Sequence, residues 1–95
     1  MHPLDALGNP TRREILRRLR YKPLSVQEIA DGFPVSRPAI SRHLSVLEAT
    51  GLVDTTSVGT RNVYSVRVQG FQDVRAYLDE FWSVALARLE ALDAT

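Results

Sequence analysis

The sequence of 95 residues contains no cysteine, which excludes disulfide bonds and thiolate metal sites. It has no apolar run near the roughly 18 residues that span a bilayer, and its N-terminus lacks the charged and apolar segments of a secretory signal. We therefore expect no membrane partner and a cytoplasmic location. The formal net charge is only +1, so the overall charge does not identify a partner.

Charge is nevertheless distributed unevenly. Residues 12–22 hold five arginines and one lysine against a single acid, whereas residues 71–95 hold two arginines against five acids. This asymmetry is typical of a nucleic-acid face that lies apart from a dimer or effector end. The length fits one domain with a thin core, which favours association with a second copy.

Turn and capping residues mark the first three helices. Residues 1–7 form a short apolar helix that Gly8 and Pro10 end, and Asn9 caps a second helix over residues 10–20. Ser25 and Glu28 have the spacing of a capping box, which predicts a third helix ending near Asp31.

The second half of the chain predicts a long helix, a hairpin and another helix. Ser36 caps a fourth helix that continues to Thr50, and Gly51 stands where a left-handed residue ends a helix. Residues 52–57 and 62–68 are rich in β-branched and aromatic residues and predict two strands. We expect Gly70 to break the second strand and the last helix to begin at residue 71 or 72.

This order predicts an α+β, mostly helical fold: a winged helix-turn-helix with a two-stranded β-hairpin wing and a long C-terminal dimerisation helix. We expect one domain over residues 1–95. The helix-turn-helix occupies residues 25–50, the wing residues 52–68, and the dimerisation helices residues 1–7 and 71–95.

The fourth helix has the pattern of a DNA-reading helix. Ile40, Leu44 and Leu47 share its inward side, with His43 at the edge. The outward side is small, hydroxylated and basic, which suits close approach to base edges and phosphates. The hairpin tip adds a wing arginine. The candidate DNA-binding residues are Ser36, Arg37, Pro38, Ala39, Ser41, Arg42, Ser45, Thr60 and Arg61. A solvated helix face and an ordinary turn are the alternatives.

The last helix carries an apolar stripe that is wide for a protomer of this size. The stripe comprises Val74, Leu78, Phe81, Ala85, Leu89 and Leu92, widened by Tyr77, Trp82 and Leu86. A dimer interface explains it better than a monomer core, because aromatic residues dominate such interfaces. The candidate interface residues are Leu4, Leu7, Phe81, Trp82, Leu86 and Leu89.

The remaining groups of polar residues are explained more simply by structural roles than by catalysis or ligand binding. His43 and the serines two positions away point in different directions on a helix, so they form no catalytic pair. The acids of the last helix and the arginines Arg13, Arg17 and Arg20 are most simply solvated faces, although backbone contacts to DNA remain an alternative for the arginines. We expect no enzyme, metal or cofactor. A winged-helix module that binds only proteins is the rival hypothesis.

Four segments together resemble the ArsR family of winged-helix repressors: residues 6–16 (ALGNPTRREIL), 35–47 (VSRPAISRHLSVL), 51–53 (GLV) and 59–64 (GTRNVY). The resemblance implies a homodimer joined by the first and last helices. It also implies an inverted-repeat operator, often at the protein's own promoter, and a reading helix whose residues 36–45 face the major groove. The cysteine motif and last-helix histidines of the metal sensors are missing, so the resemblance is to cysteine-free members, whose effector is often unknown.

Overall fold

The computed structural model describes residues 1–93, which form five helices and three strands. In chain order these are α1 (Pro3–Ala6), α2 (Pro10–Leu19), β1 (Leu24–Ser25), α3 (Val26–Ala30), α4 (Arg37–Ala49), β2 (Val53–Val58), β3 (Arg61–Val66) and α5 (Val68–Asp93). The mostly helical winged helix-turn-helix predicted from the sequence is confirmed.

The helix starts are fixed by local hydrogen bonds that the sequence predicts. The Asn9 side chain accepts from two backbone N–H groups at the start of α2. Ser25 and Glu28 form the expected capping box of α3, and the Ser36 hydroxyl caps α4. Gly51 has a φ of 79° and ends α4, a conformation that favours glycine. These caps position α3 and α4 as the helix-turn-helix.

The wing is larger than the two-stranded hairpin predicted. Its antiparallel sheet has the order β1-β3-β2, with Ser25 opposite Val63 and Thr55 opposite Tyr64. β1 has only two residues, too few for a visible apolar alternation. This strand connects the wing directly to the start of α3, because Ser25 belongs to β1 and also caps that helix.

The core lies between α1, α2, α3, α4 and the base of the wing, and α5 adds Val74 to it, with Phe71 packed against it. Its fully or almost fully buried apolar residues are Ala6, Ile15, Leu16, Leu19, Ile29, Ile40, Leu44, Leu47, Leu52, Val53 and Val74. The inward side predicted for α4 is thus confirmed.

The boundary between the wing and α5 differs from the prediction. Gly70 does not end a strand; β3 ends at Val66, and α5 begins at Val68 with Gly70 buried in its first turn. A Cβ atom at Gly70 would overlap the backbone of Gly51. The glycine is therefore needed because the end of α4 and the start of α5 touch backbone to backbone. The predicted first helix is also shortened to Pro3–Ala6.

Candidate nucleic-acid interface

The outward side of α4 presents the polar and basic residues that the sequence singled out. Ser36, Arg37, Pro38, Arg42 and Ser45 are exposed. Ala39 and Ser41 are partly buried, and the Ser45 hydroxyl donates to the Ser41 carbonyl 3.1 Å away. No large apolar side chain occupies this side. This side is hydrophilic and carries several small side chains, which lets a helix approach base edges closely.

Two arginines on this helix differ in their surroundings. Arg37 donates from Nη1 to the Gln27 side-chain oxygen over 3.1 Å, and Gln27 in turn donates to Asp31 over 2.8 Å. Within residues 1–93, Arg42 makes no hydrogen bond or ion pair. The Arg42 guanidinium is therefore available to an external acceptor, whereas Arg37 must exchange or share its contact.

The tip of the wing carries Thr60 and Arg61, both exposed, after a left-handed Gly59. Arg61 Nη2 lies 2.7 Å from Glu28 Oε1 on α3. The same carboxylate oxygen accepts the Ser25 N–H over 3.0 Å. The hydrogen bonds from Ser25, followed by the charge of Arg61, hold the pKa of Glu28 below its ordinary value. Glu28 therefore stays ionised as the wing arginine's partner.

Arg37 and Arg61 both line a polar cleft of about 490 Å³ that is formed by the wing tip and the starts of α3 and α4. Its lining includes Gln27, Glu28, Arg37, Thr60, Arg61 and Asn62. The cleft brings the predicted wing residues beside the first turn of the predicted reading helix. Arg42 and Ser45 lie further along α4, outside the cleft. The sequence did not indicate that residues of α3 also line the cleft.

The arginines in and directly after α2 contact neighbouring groups of the fold, while Arg13, Arg17 and Arg20 remain exposed to solvent. Arg13 Nη1 donates to the Leu7 carbonyl over 2.8 Å, Arg17 pairs with Glu14 at 3.0 Å, and Arg20 lies over the Tyr21 ring. Two neighbours tie helices together. Arg12 donates to the Ala6 carbonyl over 2.7 Å, and Arg18 donates to the carbonyls of Ile29 and Asp31. This basic segment therefore joins α1, α2 and α3.

His43 occupies the partly buried edge of α4, as the helical spacing predicts. Its Nδ1 atom lies 3.5 Å from Arg12 Nη1. Burial, together with the charges of Arg12 and Arg42, lowers the pKa of His43. The neutral imidazole is thus favoured near neutral pH, in keeping with a structural role at the helix edge.

The apolar face of α5 remains largely uncovered in a single protomer. Phe81 is 59% exposed, Trp82 62%, Leu86 41% and Leu89 56%. An apolar groove of about 510 Å³ runs along the helix past Phe71, Leu78 and Trp82. Leu4 and Leu7 are partly buried and lie against the core. The monomer-core alternative for Phe81 and Trp82 is therefore wrong, because the protomer leaves both rings exposed.

Residues 1–93 contain no group of three or more histidine and acidic side chains arranged to hold a metal ion. None of the helices formed by these residues is long and apolar enough to cross a membrane.

Comparison with protein families and with individual relatives places this architecture among gene regulators. Residues 7–56 match the family described as a helix-turn-helix domain. The HTH-type transcriptional regulator Rv2034 of Mycobacterium tuberculosis is 48% identical over 86% of this chain and 77% of its own. The transcriptional repressor SdpR of Bacillus subtilis is 34% identical over 72% of this chain and 76% of its own. Such relatives are regulators rather than enzymes, which confirms the expectation of a non-enzymatic protein.

Solved structures give the same result for the fold. A possible transcriptional regulator for arsenical resistance matches with a TM-score of 0.83 and 40% identity, over 100% of this chain and 98% of the other. A crystal structure of an ArsR family transcriptional regulator matches with a TM-score of 0.79 and 32% identity, over 86% and 84%. A homodimeric winged helix-turn-helix DNA-binding domain from Mycobacterium bovis matches with a TM-score of 0.67 and 29% identity, over 82% and 76%.

Proposed function

Because this chain belongs to the ArsR family of transcriptional regulators, we propose that it is a homodimeric repressor that binds an inverted-repeat operator in double-stranded DNA. The observation that carries the proposal is the proximity of two predicted DNA-contacting elements. Arg37 in the first turn of α4 and the wing arginine Arg61 line one polar cleft. A duplex lying across this surface would meet both elements at once.

The reading helix enters the major groove in this proposal. Its first turn and outward side carry small residues, so the helix backbone can approach the base edges closely. Arg42 is unpartnered within residues 1–93 and has the geometry for a bidentate contact to guanine. Arg37 and Ser41 would orient the helix, and Ser36 would bind backbone phosphate at the helix start. Thr60 and Arg61 would supply the wing contacts.

The exposed apolar face of α5, with Leu4 and Leu7 beside it, would form the dimer interface. Phe81 and Trp82 are aromatic, adjacent and more than half exposed in the protomer, which is unusual for residues that face water in the assembled protein. A symmetric dimer would place the two reading helices on half-sites about 34 Å apart, or a multiple of that distance, along one face of the duplex. The similar Mycobacterium bovis domain is homodimeric.

The proposed repressor role requires an operator that lies near a promoter. A dimer bound near a promoter excludes polymerase by occupying the same duplex, and the Bacillus subtilis relative is a transcriptional repressor. The protein's own promoter is a candidate target. We propose a cytoplasmic location, where the protein would reach its DNA target.

Selection from random duplexes tests the function as a whole. The purified protein should recover one inverted repeat at about 150 mM salt, where much of the non-specific binding is suppressed. A folded dimer that enriches no sequence would contradict operator binding. It would favour a winged helix that binds only proteins.

Replacement of Arg42 by alanine should weaken binding to the selected operator by about 1–3 kcal/mol, because one bidentate base contact is lost. Fluorescence anisotropy with the operator and with a duplex altered at the contacted base measures this effect. Arg17→Ala is the matched control, since it removes an arginine that pairs with Glu14 on α2. Equal operator affinities for the Arg42→Ala variant and the unmodified protein would exclude this base contact.

A further inference from the structure

We propose that Glu28 competes with DNA phosphate for Arg61 and thereby limits how tightly the wing binds DNA. The inference rests on the proposed DNA binding and adds to it a residue that lies outside the predicted contact surface. The contact that carries it joins Arg61 Nη2 to Glu28 Oε1 at 2.7 Å. In the free protein, the wing arginine is thus already bound to an anion.

Both ends of this ion pair are held by the fold. Glu28 is fixed by the capping box, because its carboxylate accepts the Ser25 N–H while its own N–H donates to the Ser25 hydroxyl. Ser25 is paired with Val63 in the sheet, two residues after Arg61. The Glu28 carboxylate therefore stays beside the wing tip, whereas a surface acid without such hydrogen bonds could move away from it.

Carboxylate and phosphate oxygens are interchangeable acceptors for a guanidinium group. A phosphate that enters the polar cleft to reach Arg61 meets the negative charge of Glu28 at the same place. When the wing binds DNA, Arg61 therefore exchanges the Glu28 carboxylate for a phosphate, and the displaced carboxylate repels that phosphate. Arg37 differs, because its partner Gln27 is neutral and offers a phosphate no such repulsion.

Both side chains of the pair are substantially exposed, at 60% for Arg61 and 45% for Glu28. Exposed ion pairs are weak, so their effect on binding is modest. We expect the competition to lower DNA affinity by about two- to fivefold for each wing that engages. Because Arg61 must give up Glu28 to bind phosphate, we expect contacts from α4 to supply a larger share of the binding free energy than contacts from the wing.

The test is the Glu28→Gln variant, which removes the charge but keeps a side chain that completes a capping box. It should bind a random-sequence duplex about two- to fivefold more tightly per wing, measured by anisotropy at about 50 mM salt. The Glu14→Gln control makes the same change at a surface ion pair on α2 and should bind as the unmodified protein does. In an Arg61→Gln background, Glu28→Gln should have no effect.

Unchanged or weaker binding by Glu28→Gln would overturn the inference, as would an equal gain without Arg61, which would indicate a general charge effect. A second measurement uses the unmodified protein. The carboxyl ¹³C resonance of Glu28 should shift when duplex is added, and an unmoved resonance in a DNA-bound sample would equally overturn the competition. If the unmodified protein binds no duplex at all, the proposed DNA binding is itself wrong. If the unmodified protein binds duplex but Glu28→Gln binds no more tightly, only the competition is wrong.

Discussion

Replacement of Trp82 by glutamate is expected to convert the proposed dimer into a monomer and to weaken operator binding at least about a hundredfold. Trp82 is 62% exposed in the protomer, so the change leaves the core intact. A two-fold interface contains every substitution twice, and a carboxylate buried without a partner costs several kcal/mol per copy. A monomer binds one half-site only and loses the second set of contacts. Sedimentation velocity and anisotropy measure the two effects on the same samples.

Ser83→Glu provides the matched control on the same helix. Ser83 is exposed, lies next to Trp82 in sequence and points away from the apolar face at the helical spacing of about 100° per residue. The new charge is identical, but this variant should remain dimeric and bind normally. A dimeric Trp82→Glu protein would show that the interface lies elsewhere.

Raising the salt concentration from about 50 to 200 mM is expected to weaken operator binding about a thousandfold. Arg37, Arg61 and the start of α4 at Ser36 would give a dimer about six phosphate contacts, and each contacted phosphate releases condensed counterions from the duplex. The logarithm of the binding constant should fall linearly with the logarithm of the salt concentration, with a slope near −5. Anisotropy titrations at four or more salt concentrations measure this slope.

Arg61→Gln supplies the comparison for the salt experiment. Loss of one phosphate contact in each subunit should make the slope shallower by about two units in the dimer. An Arg17→Gln variant makes the same charge change on α2, where Arg17 pairs with Glu14 at 3.0 Å outside the proposed contact surface, and should leave the slope unchanged. A slope shallower than about −2 for the unmodified protein would contradict an interface that contacts about six phosphates in the dimer.

Features that depend on a few neighbouring residues could be predicted from the sequence. Asn9, Ser25 and Ser36 each cap the helix that follows them, because a cap needs only the hydrogen-bonding groups within three residues. The inward side of α4 was also predictable, since helical periodicity alone places its apolar residues on one side.

Features that depend on distant parts of the chain could not be predicted in this way. β1 has two residues and exists because β3 pairs with it. Gly70 resembles a strand breaker in sequence, but its function is to allow close contact with Gly51, 19 residues earlier. The side chains of the basic segment look alike, and only the folded structure shows which carbonyl or acid each one binds.

The candidate DNA-binding surface also has features that the sequence predicts and features that it does not. The composition of α4 and the wing tip indicated which residues to consider, and their contact with DNA stays a prediction. The partners of Arg37 and Arg61 on α3 were not visible in the sequence. Glu28 and Arg61 lie 33 positions apart, and the capping role of Glu28 already accounted for its presence.

The backbone contact between Gly51 and Gly70 is the point about which α5 would rotate relative to the rest of the protomer. The part of α5 that follows Gly70 extends about 35 Å beyond this contact, so a rotation of about 5° there would move the far end by about 3 Å. In a dimer joined along α5, that displacement would change the distance between the two reading helices by a similar amount. A Cβ atom at Gly70 would overlap the Gly51 carbonyl, so a larger residue there would force α5 away from the end of α4. In the proposed dimer, the span between half-sites would then depend on two residues that lie outside the predicted DNA-binding and interface residues.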